Sequence, residues 1–294
     1  MARAIARRAR TELQLTLVHC LPAAAVLEGG TLFYDGSLDA EVKRHDRVYL
    51  DWLVQRLGSL QVSAKPVLLD GQVVEALRAH ITSSQADLVV MTTHGRGPFG
   101  RFWLGSVADE LVRRSPVPIL LVRPHEEAAD LGREPVVPHI LVPLDGTPLA
   151  EQILTPAAEL ARMLGAECTL LRVVKPLLPL AQRQVSGSLE PFAEALGARL
   201  GALHAKLHEA AEDYLEQVAR RMRSGSLRVW TRVVHDEHPA TAILHEAERL
   251  GSGIVALETH GRRGLTRVFL GSVADKVLRG SPLPLLLHRP QGQG

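Results

Sequence analysis

The sequence predicts an α/β protein of two tandem domains, each a parallel sheet covered by helices on both faces. Three observations carry this expectation. The 294 residues are enough for two cores of ordinary size. One long segment occurs twice without a gap, as MTTHGRGPFGRFWLGSVADELVRRSPVPILLVRP at 91–124 and LETHGRRGLTRVFLGSVADKVLRGSPLPLLLHRP at 257–290. The offset is 166 throughout, from His94 to His260 and from Gly105 to Gly271, which means duplicated domains. Finally, short apolar runs bounded by Gly, Pro and polar residues alternate with longer patterns of helical period, as βαβ units require. Because these runs are apolar at consecutive positions, both faces of the sheet should be covered.

In copy one the strand candidates are 15–19 (LTLVH), 63–69 (SAKPVLL), 87–93 (DLVVMTT) and 118–123 (PILLVR). Copy two offers 139–145 (HILVPLD), 168–174 (CTLLRVV), 228–234 (RVWTRVV), 253–259 (GIVALET) and 284–288 (PLLLH), and the first of these has no counterpart in copy one. Upstream, IARRARTELQLTLVHC at 5–20 matches LARMLGAECTLLRVVK at 160–175 with an offset of 155, so copy two carries about eleven extra residues between Val174 and Arg228. There 176–188 reads as loop and 189–222 as helix. Leu196, Leu200, Leu203, Leu207, Tyr214, Val218 and Met222 form an amphipathic stripe expected to pack on the helix's own sheet. A polar stretch with prolines at its ends separates the copies. The expected organisation is a domain at 1–125 without its first strand, a linker at 126–137 and a complete domain at 138–290 with a helical insertion.

Composition narrows the function. With 34 Lys and Arg against 32 Asp and Glu the formal net charge is only +2, so the basic footprint of a nucleic-acid binder is missing. The two cysteines, Cys20 and Cys168, share no metal-site spacing and read as buried free thiols. The basic start has no continuous apolar stretch behind it, and no run approaches the ~18 apolar residues of a membrane span. The expectation is a cytoplasmic protein with neither nucleic acid nor membrane as partner.

The chemistry-bearing segment is the repeated one. Each copy has a strand, then THGR, then LGSVAD opening a helix. Glycines let a backbone approach a ligand closely, and the first N–H groups of a helix favour an anion such as phosphate. Ser106 and Ser272 occupy positions suited to an N-cap hydroxyl or a phosphate-contacting hydroxyl. The bland alternative is that Gly-Ser only starts a helix.

THGRGPFGRFWLGSVAD and THGRRGLTRVFLGSVAD resemble the signature loop of the universal stress proteins, and ILVPLDGT at 140–147 is similar to that family's first strand and following turn. The resemblance covers nearly the whole chain, twice. It implies two tandem Rossmann-like, doubly wound parallel-sheet domains of strand order 3-2-1-4-5, with strand 1 lacking from the first. Nucleotide-binding members carry Gly, two residues, Gly, nine residues, then Gly-Ser or Gly-Thr. Gly95 and Gly105 in copy one, and Gly261 and Gly271 in copy two, match the second and third glycines, whereas Thr92 and Glu258 stand where the first should be. The resemblance therefore implies ATP or another adenine nucleotide, with or without Mg²⁺, held by Gly261, Gly271, Ser272 and Val273, and in copy one by Gly95, Gly105, Ser106 and Val107. It also implies that Asp145 faces the adenine or ribose, with Pro143 shaping the strand end. Apart from the resemblance, Asp145 reads equally as a turn aspartate, with Thr147 as N-cap and Pro148 at the first helical position. A carboxylate at Glu258 would repel phosphate unless it points away or takes a ribose hydroxyl.

No catalytic residue stands out. His94 and His260 lack a placed nucleophile and supporting acid, and read as loop histidines bonded to backbone. Arg96, Arg101, Arg262, Arg263 and Arg267 could neutralise phosphate or simply be solvated. The P-loop pattern is absent, so weak ATPase activity is the most that is expected. The resulting expectation is a stress-response sensor or regulatory protein that binds an adenine nucleotide, chiefly in copy two. Its rivals are a non-binding structural or interaction protein and a slow ATPase or self-phosphorylating protein. By the resemblance, the tandem copies would form an intramolecular pseudo-dimer through their last strands, 117–123 and 283–289, with a homodimer as a further option. At the offset of 155, the copy-one equivalents of Pro143 and Asp145 fall before Met1. Either Met1 is internal to a longer gene product, or the first copy is a degenerate half that leans on the second.

Overall fold

The computed structural model describes residues 1–19, 25–26, 32–33, 36–92, 104–123, 134–177, 190–223, 227–259 and 270–289. The chain divides into two compact units, Met1–Val136 and Val137–Gly294.

The first unit opens with α1 (Ala2–Ala9), whose Ala4, Ile5 and Ala6 are buried. It ends in a Schellman-type turn: Arg10 adopts the left-handed conformation (φ 53°, ψ 38°) and the Thr11 N–H reaches the Ala6 carbonyl at 3.1 Å. Next come β1 (Leu13–His19), a two-residue antiparallel pair of β2 (Ala25–Val26) and β3 (Leu32–Phe33), α2 (Gly36–Gly58) and β4 (Ala64–Asp70). The β2–β3 pair had no signal in the apolar pattern, being too short to show a period. The unit closes with α3 (Val73–Ser83), β5 (Val89–Thr92), α4 (Ser106–Arg114) and β6 (Ile119–Val122).

β1 and β4 pair in parallel from Leu13↔Ala64 to His19↔Asp70, and β5 and β6 pair in parallel from Val89↔Ile119 to Thr92↔Val122. Among the described residues no strand is hydrogen-bonded between β1 and β5. α1, α2 and α3 pack on the β1–β4 pair, closing a small core of Ala6, Leu57 and Val62 with Leu13, Leu15 and Ala64 against it. The gap has a cost in burial. Leu13 to Val18 of β1 and Val89 to Met91 of β5 are only half-buried.

The second unit contains β7 (His139–Pro143), a 3₁₀ turn at Ala150–Ile153 running into α5 (Leu154–Leu164), and β8 (Glu167–Val174). It continues with α6 (Glu190–Met222), β9 (Val229–His235), α7 (Pro239–Arg249), β10 (Ile254–Glu258), α8 (Ser272–Gly280) and β11 (Leu285–His288). Its strands lie in the order β9-β8-β7-β10-β11, all parallel, which is 3-2-1-4-5 counted within the unit. Right-handed crossovers place α5 and α6 on one face and α7 and α8 on the other. The central strand is enclosed from both sides, and Ile140, Leu141 and Val142 are fully buried, as are Cys168, Leu170 and Leu171 beside them on β8. Every residue of β10 is buried, in contrast to β5, its counterpart in the first unit.

The stripe on α6 behaves differently from the sequence expectation. Its C-terminal half is seated on the sheet through Ala211, Leu215, Val218, Ala219 and Met222, but Leu203 and Leu207 are exposed. The expected Val218 and Met222 are buried, Tyr214 is half-buried, and Leu215 and Ala219 join the packed face beside them.

The two copies solve one turn unequally. α5 ends at Gly165 in the left-handed conformation (φ 66°), and the aligned position after α1 is Arg10. A side chain with a Cβ pays for left-handed backbone that glycine adopts freely. Arg10→Gly is expected to stabilise the first unit by about 1 kcal/mol, read as a shift in the urea midpoint without a change in slope, whereas Gly165→Arg should destabilise the second.

Candidate functional site

In the second unit the chain leaves β7 toward β8 on one side and leaves β10 toward β11 on the other. Loops departing in opposite directions open a crevice beyond the carboxyl ends of adjacent strands, the usual ligand position of open α/β sheets. Pro143 ends β7 and Glu258 ends β10, and the ladder between these strands sets their ends side by side.

The turn after β7 is built by Asp145. Its Oδ1 accepts hydrogen bonds from the Thr147 N–H (3.0 Å) and the Thr147 hydroxyl (2.6 Å), while Thr147 Oγ1 accepts from the Ala150 N–H at 3.2 Å. The turn-aspartate reading is thus realised, whereas the capping reading is corrected: the first helical residue is Ala150 with Leu149 as N-cap, so Pro148 stands in the turn and Thr147 reaches the helix start from two positions before the cap. Gly146 has φ 83°, and a Cβ there would lie 3.1 Å from Arg172 Nη1. Arg172, from β8, donates to the Leu144 carbonyl at 3.1 Å and sits 6.0 Å from the Tyr214 ring centroid. Burial pushes the Tyr214 phenol up, with the Glu151 and Asp145 carboxylates beside it adding to the shift. Sequence reasoning passed over Arg172, although a lone arginine inside an apolar strand run was a usable signal.

The start of α8 is the second wall. Gly271 is its N-cap (φ −59°, ψ 144°), and no side chain caps it. The Gly271 N–H donates to the Thr259 carbonyl at 2.7 Å, and the Thr259 N–H donates to the His288 carbonyl at 2.9 Å, so the helix start is tied to the ends of β10 and β11. Copy one repeats the form, with Gly105 as N-cap of α4 at φ −58° and ψ 148°. This corrects one expectation. Ser272 and Ser106 are not N-caps; they are the first helical residues, exposed, because glycine takes the extended capping conformation one position earlier. Val273 and Val107 follow, half-buried. Gly95, Gly261, His94, His260 and the five loop arginines lie outside the described residues.

Glu258 occupies the first-glycine position and is buried, with 7% of its surface exposed. The facing residue in the ladder is His288, whose Nδ1 is 2.7 Å from Glu258 Oε1. Glu258 Oε2 is buried and makes no hydrogen bond among the described residues. Desolvation pushes the Glu258 carboxyl up to about 7, with His288 opposing the shift. At the offset of 166 the copy-one pair is Thr92 and Val122, also facing in register, so the ionisable pair belongs to copy two alone.

Two polar clusters lie at the ends of the neighbouring strands. In the first unit His19 is buried between Asp39 (2.7 Å) and Asp46 (3.3 Å), and the Asp39 hydrogen bond holds its pKa up. In the second, His235 lies between His204 (2.5 Å) and His208 (2.8 Å) of α6; desolvation and these neighbours hold its pKa down. Among the described residues no group of three or more His, Cys, Asp or Glu side chains is arranged to hold a metal ion. Desolvation in β8 pushes the Cys168 thiol up to about 12, so it is no nucleophile at neutral pH. No described helix is long and apolar enough to cross a membrane.

The model of the universal stress protein family matches residues 1–123 and again 137–289. The chain belongs to the universal stress protein family. A relative from Mycolicibacterium smegmatis is 28% identical over 209 residues, and one from Mycobacterium tuberculosis is 28% identical over 207; both are universal stress proteins. The matches cover 71% and 70% of this chain but 64% and 63% of those relatives, so the chain spans less than two thirds of their length. The crystal structure of a universal stress protein from Archaeoglobus fulgidus matches with a TM-score of 0.61 at 17% identity, covering 100% of this chain and 91% of that one, which shows the shared fold.

Within this universal stress protein, Glu258 makes stability depend on pH. Its folded value of about 7 lies above the ordinary 4.5, so the native state holds the proton more tightly than the unfolded chain. The penalty for burying the charge is absent below the ordinary value and grows as pH rises through about 7. Glu258→Gln should therefore stabilise the second unit at pH 8, by on the order of 3 kcal/mol, and the advantage should shrink toward pH 4.5. Urea denaturation at the two pH values checks this, and an equal difference at both would contradict it.

Proposed function

We propose that copy two is an adenine-nucleotide site and that the protein acts as a nucleotide-responsive stress regulator in the cytoplasm, with 1–125 and 138–290 as its domains. One observation carries the reading. α8 begins at a glycine with extended backbone, and among the described residues no side chain caps its first turn. The N–H groups of a helix's first turn and the positive end of its dipole suit a phosphate, and the Gly271–Thr259 bond keeps that helix end at the sheet edge. Asp145 supports the reading from the β7 side: its turn, fixed by Thr147, holds at the same edge the carboxylate that the family resemblance sets against adenine or ribose. Copy one shares the helix start at Gly105 but has no described counterpart of Pro143 and Asp145, so it is assigned weak binding or none.

One observation favours a second reading, that of an interaction protein without a nucleotide. An ionised, buried Glu258 beside the phosphate position opposes an anion, and the residues present fit a phosphate only when that charge is removed or turned aside.

The test is calorimetric titration of ATP, ADP and AMP into the wild-type chain and into Gly271→Asp. Aspartate is a preferred N-cap, and the backbone at 271 is already extended, so the variant should fold while its carboxylate fills the anion position. Affinity should fall at least about tenfold, or 1.4 kcal/mol, while Gly105→Asp changes it little. Unchanged binding in Gly271→Asp would overturn the assignment.

A further inference from the structure

The position of Glu258 is unusual on three counts taken together. It ends a central strand at the point where the chain turns toward α8. It is more than nine-tenths buried. One of its carboxyl oxygens is bonded to His288, and the other is buried without a partner among the described residues. A buried carboxylate oxygen with no donor is costly, and two events relieve it: a donor arrives, or the oxygen takes a proton and becomes a donor itself. A phosphate carries no donor at neutral pH and repels a carboxylate, so it cannot do the first. It is a good acceptor, so it rewards the second.

We propose that Glu258 is the charge-selecting residue of the copy-two site: protonated, its Oε2 donates a hydrogen bond to a phosphate oxygen, and ionised, it excludes that phosphate, so that nucleotide binding takes up one proton. The inference rests on the nucleotide reading above and adds to it a residue, a sign and a stoichiometry.

The geometry supplies the parts of such a device. With the proton on Nδ1, His288 donates to Oε1 whether the carboxyl is ionised or protonated on Oε2, which fixes the orientation of the group and leaves Oε2 as the atom whose proton changes. β10 and β11 face each other at Glu258↔His288, so the pair is held by the sheet ladder and not by a loop. Thr259, the next residue, is fully buried and accepts the Gly271 N–H, which ties the carboxyl's own backbone to the helix end where the anion would sit. Among the described residues His288, on β11, is the ionisable group that bears on Glu258. The carboxyl's position near 7 then places both forms within reach of ordinary solution conditions. Thr92 and Val122 give copy one no such selector.

The proton balance is simple. In the ionised protein the nucleotide arrives together with one proton from solvent, which becomes the Oε2–H; on release the proton returns to solvent. No covalent bond to the nucleotide forms or breaks.

The test uses the full chain, with ATP as probe, by calorimetry from pH 5.8 to 8.5 for wild type, Glu258→Gln and Glu258→Gly. The nucleotide's own phosphate titrates near pH ~6, and this contribution is common to all three proteins. Wild-type affinity should fall as pH rises through about 7, approaching about tenfold per unit beyond what Glu258→Gln shows. Glu258→Gln, a fixed donor without charge, should match wild type at pH 5.8 and exceed it at least about tenfold at pH 8.5. Glu258→Gly should lose the same pH-linked component. In two buffers of different protonation enthalpy at pH 7.5, wild type should take up about three-quarters of a proton more than Glu258→Gln, since about a quarter of the carboxyls near 7 already hold one. Identical pH profiles in wild type and Glu258→Gln, or net proton release, would overturn the inference while leaving the nucleotide reading intact. Absence of binding by wild type and Glu258→Gln alike at pH 5.8 would overturn both.

Discussion

The hydrogen-bond ladder around β7 is the constraint on which the second unit depends. A parallel strand in the middle of a sheet satisfies its backbone on both sides, and the residues of β7 are buried accordingly. Because β8 follows β7 on one side and β10 lies on the other, this strand also sets the point where the chain's direction of winding reverses. Core and candidate site therefore share one cause. The strand end that carries Pro143 and Asp145 is placed beside the end of β10 by the same bonds that close the core.

In the first unit no such central strand is found among the described residues. β1 keeps one parallel partner, β4, and β5 keeps β6, but among the described residues nothing joins β1 to β5. Apolar residues that are buried in β8 and β10 are half-buried at the corresponding positions in β1 and β5. What the first unit retains are the locally coded features: the helix start at Gly105, the turn after α1 and the crossover helices. Those depend on sequence neighbours, and the duplicated segment preserves them.

The two copies differ most in charge at the sheet edge. At the ends of the fourth and fifth strands, copy two places Glu258 against His288 where copy one has Thr92 against Val122. Farther along the edge, copy one encloses His19 between two aspartates, whereas copy two sets His235 among two other histidines. The shared fold thus presents two edges of different electrostatic character.

Much of this was legible in the sequence. The repeat of 34 residues fixed the number of domains, the apolar runs located nine of the described strands, and the Gly-Ser before VAD marked where a helix begins. These features depend on period and on local turn chemistry, which a sequence carries explicitly. The two-residue pair at Ala25–Val26 and Leu32–Phe33 was too short to show a period. The burial of only half the α6 stripe depends on how far the sheet extends beneath the helix. The role of Arg172 under the Asp145 turn depends on strands adjacent in space. Glu258 is the clearest case. The sequence determined that a carboxylate stands where the family motif has glycine. Only the register of β10 against β11 decided that it meets His288 and is buried, because a side chain's partner across a parallel sheet is set by pairing between distant segments.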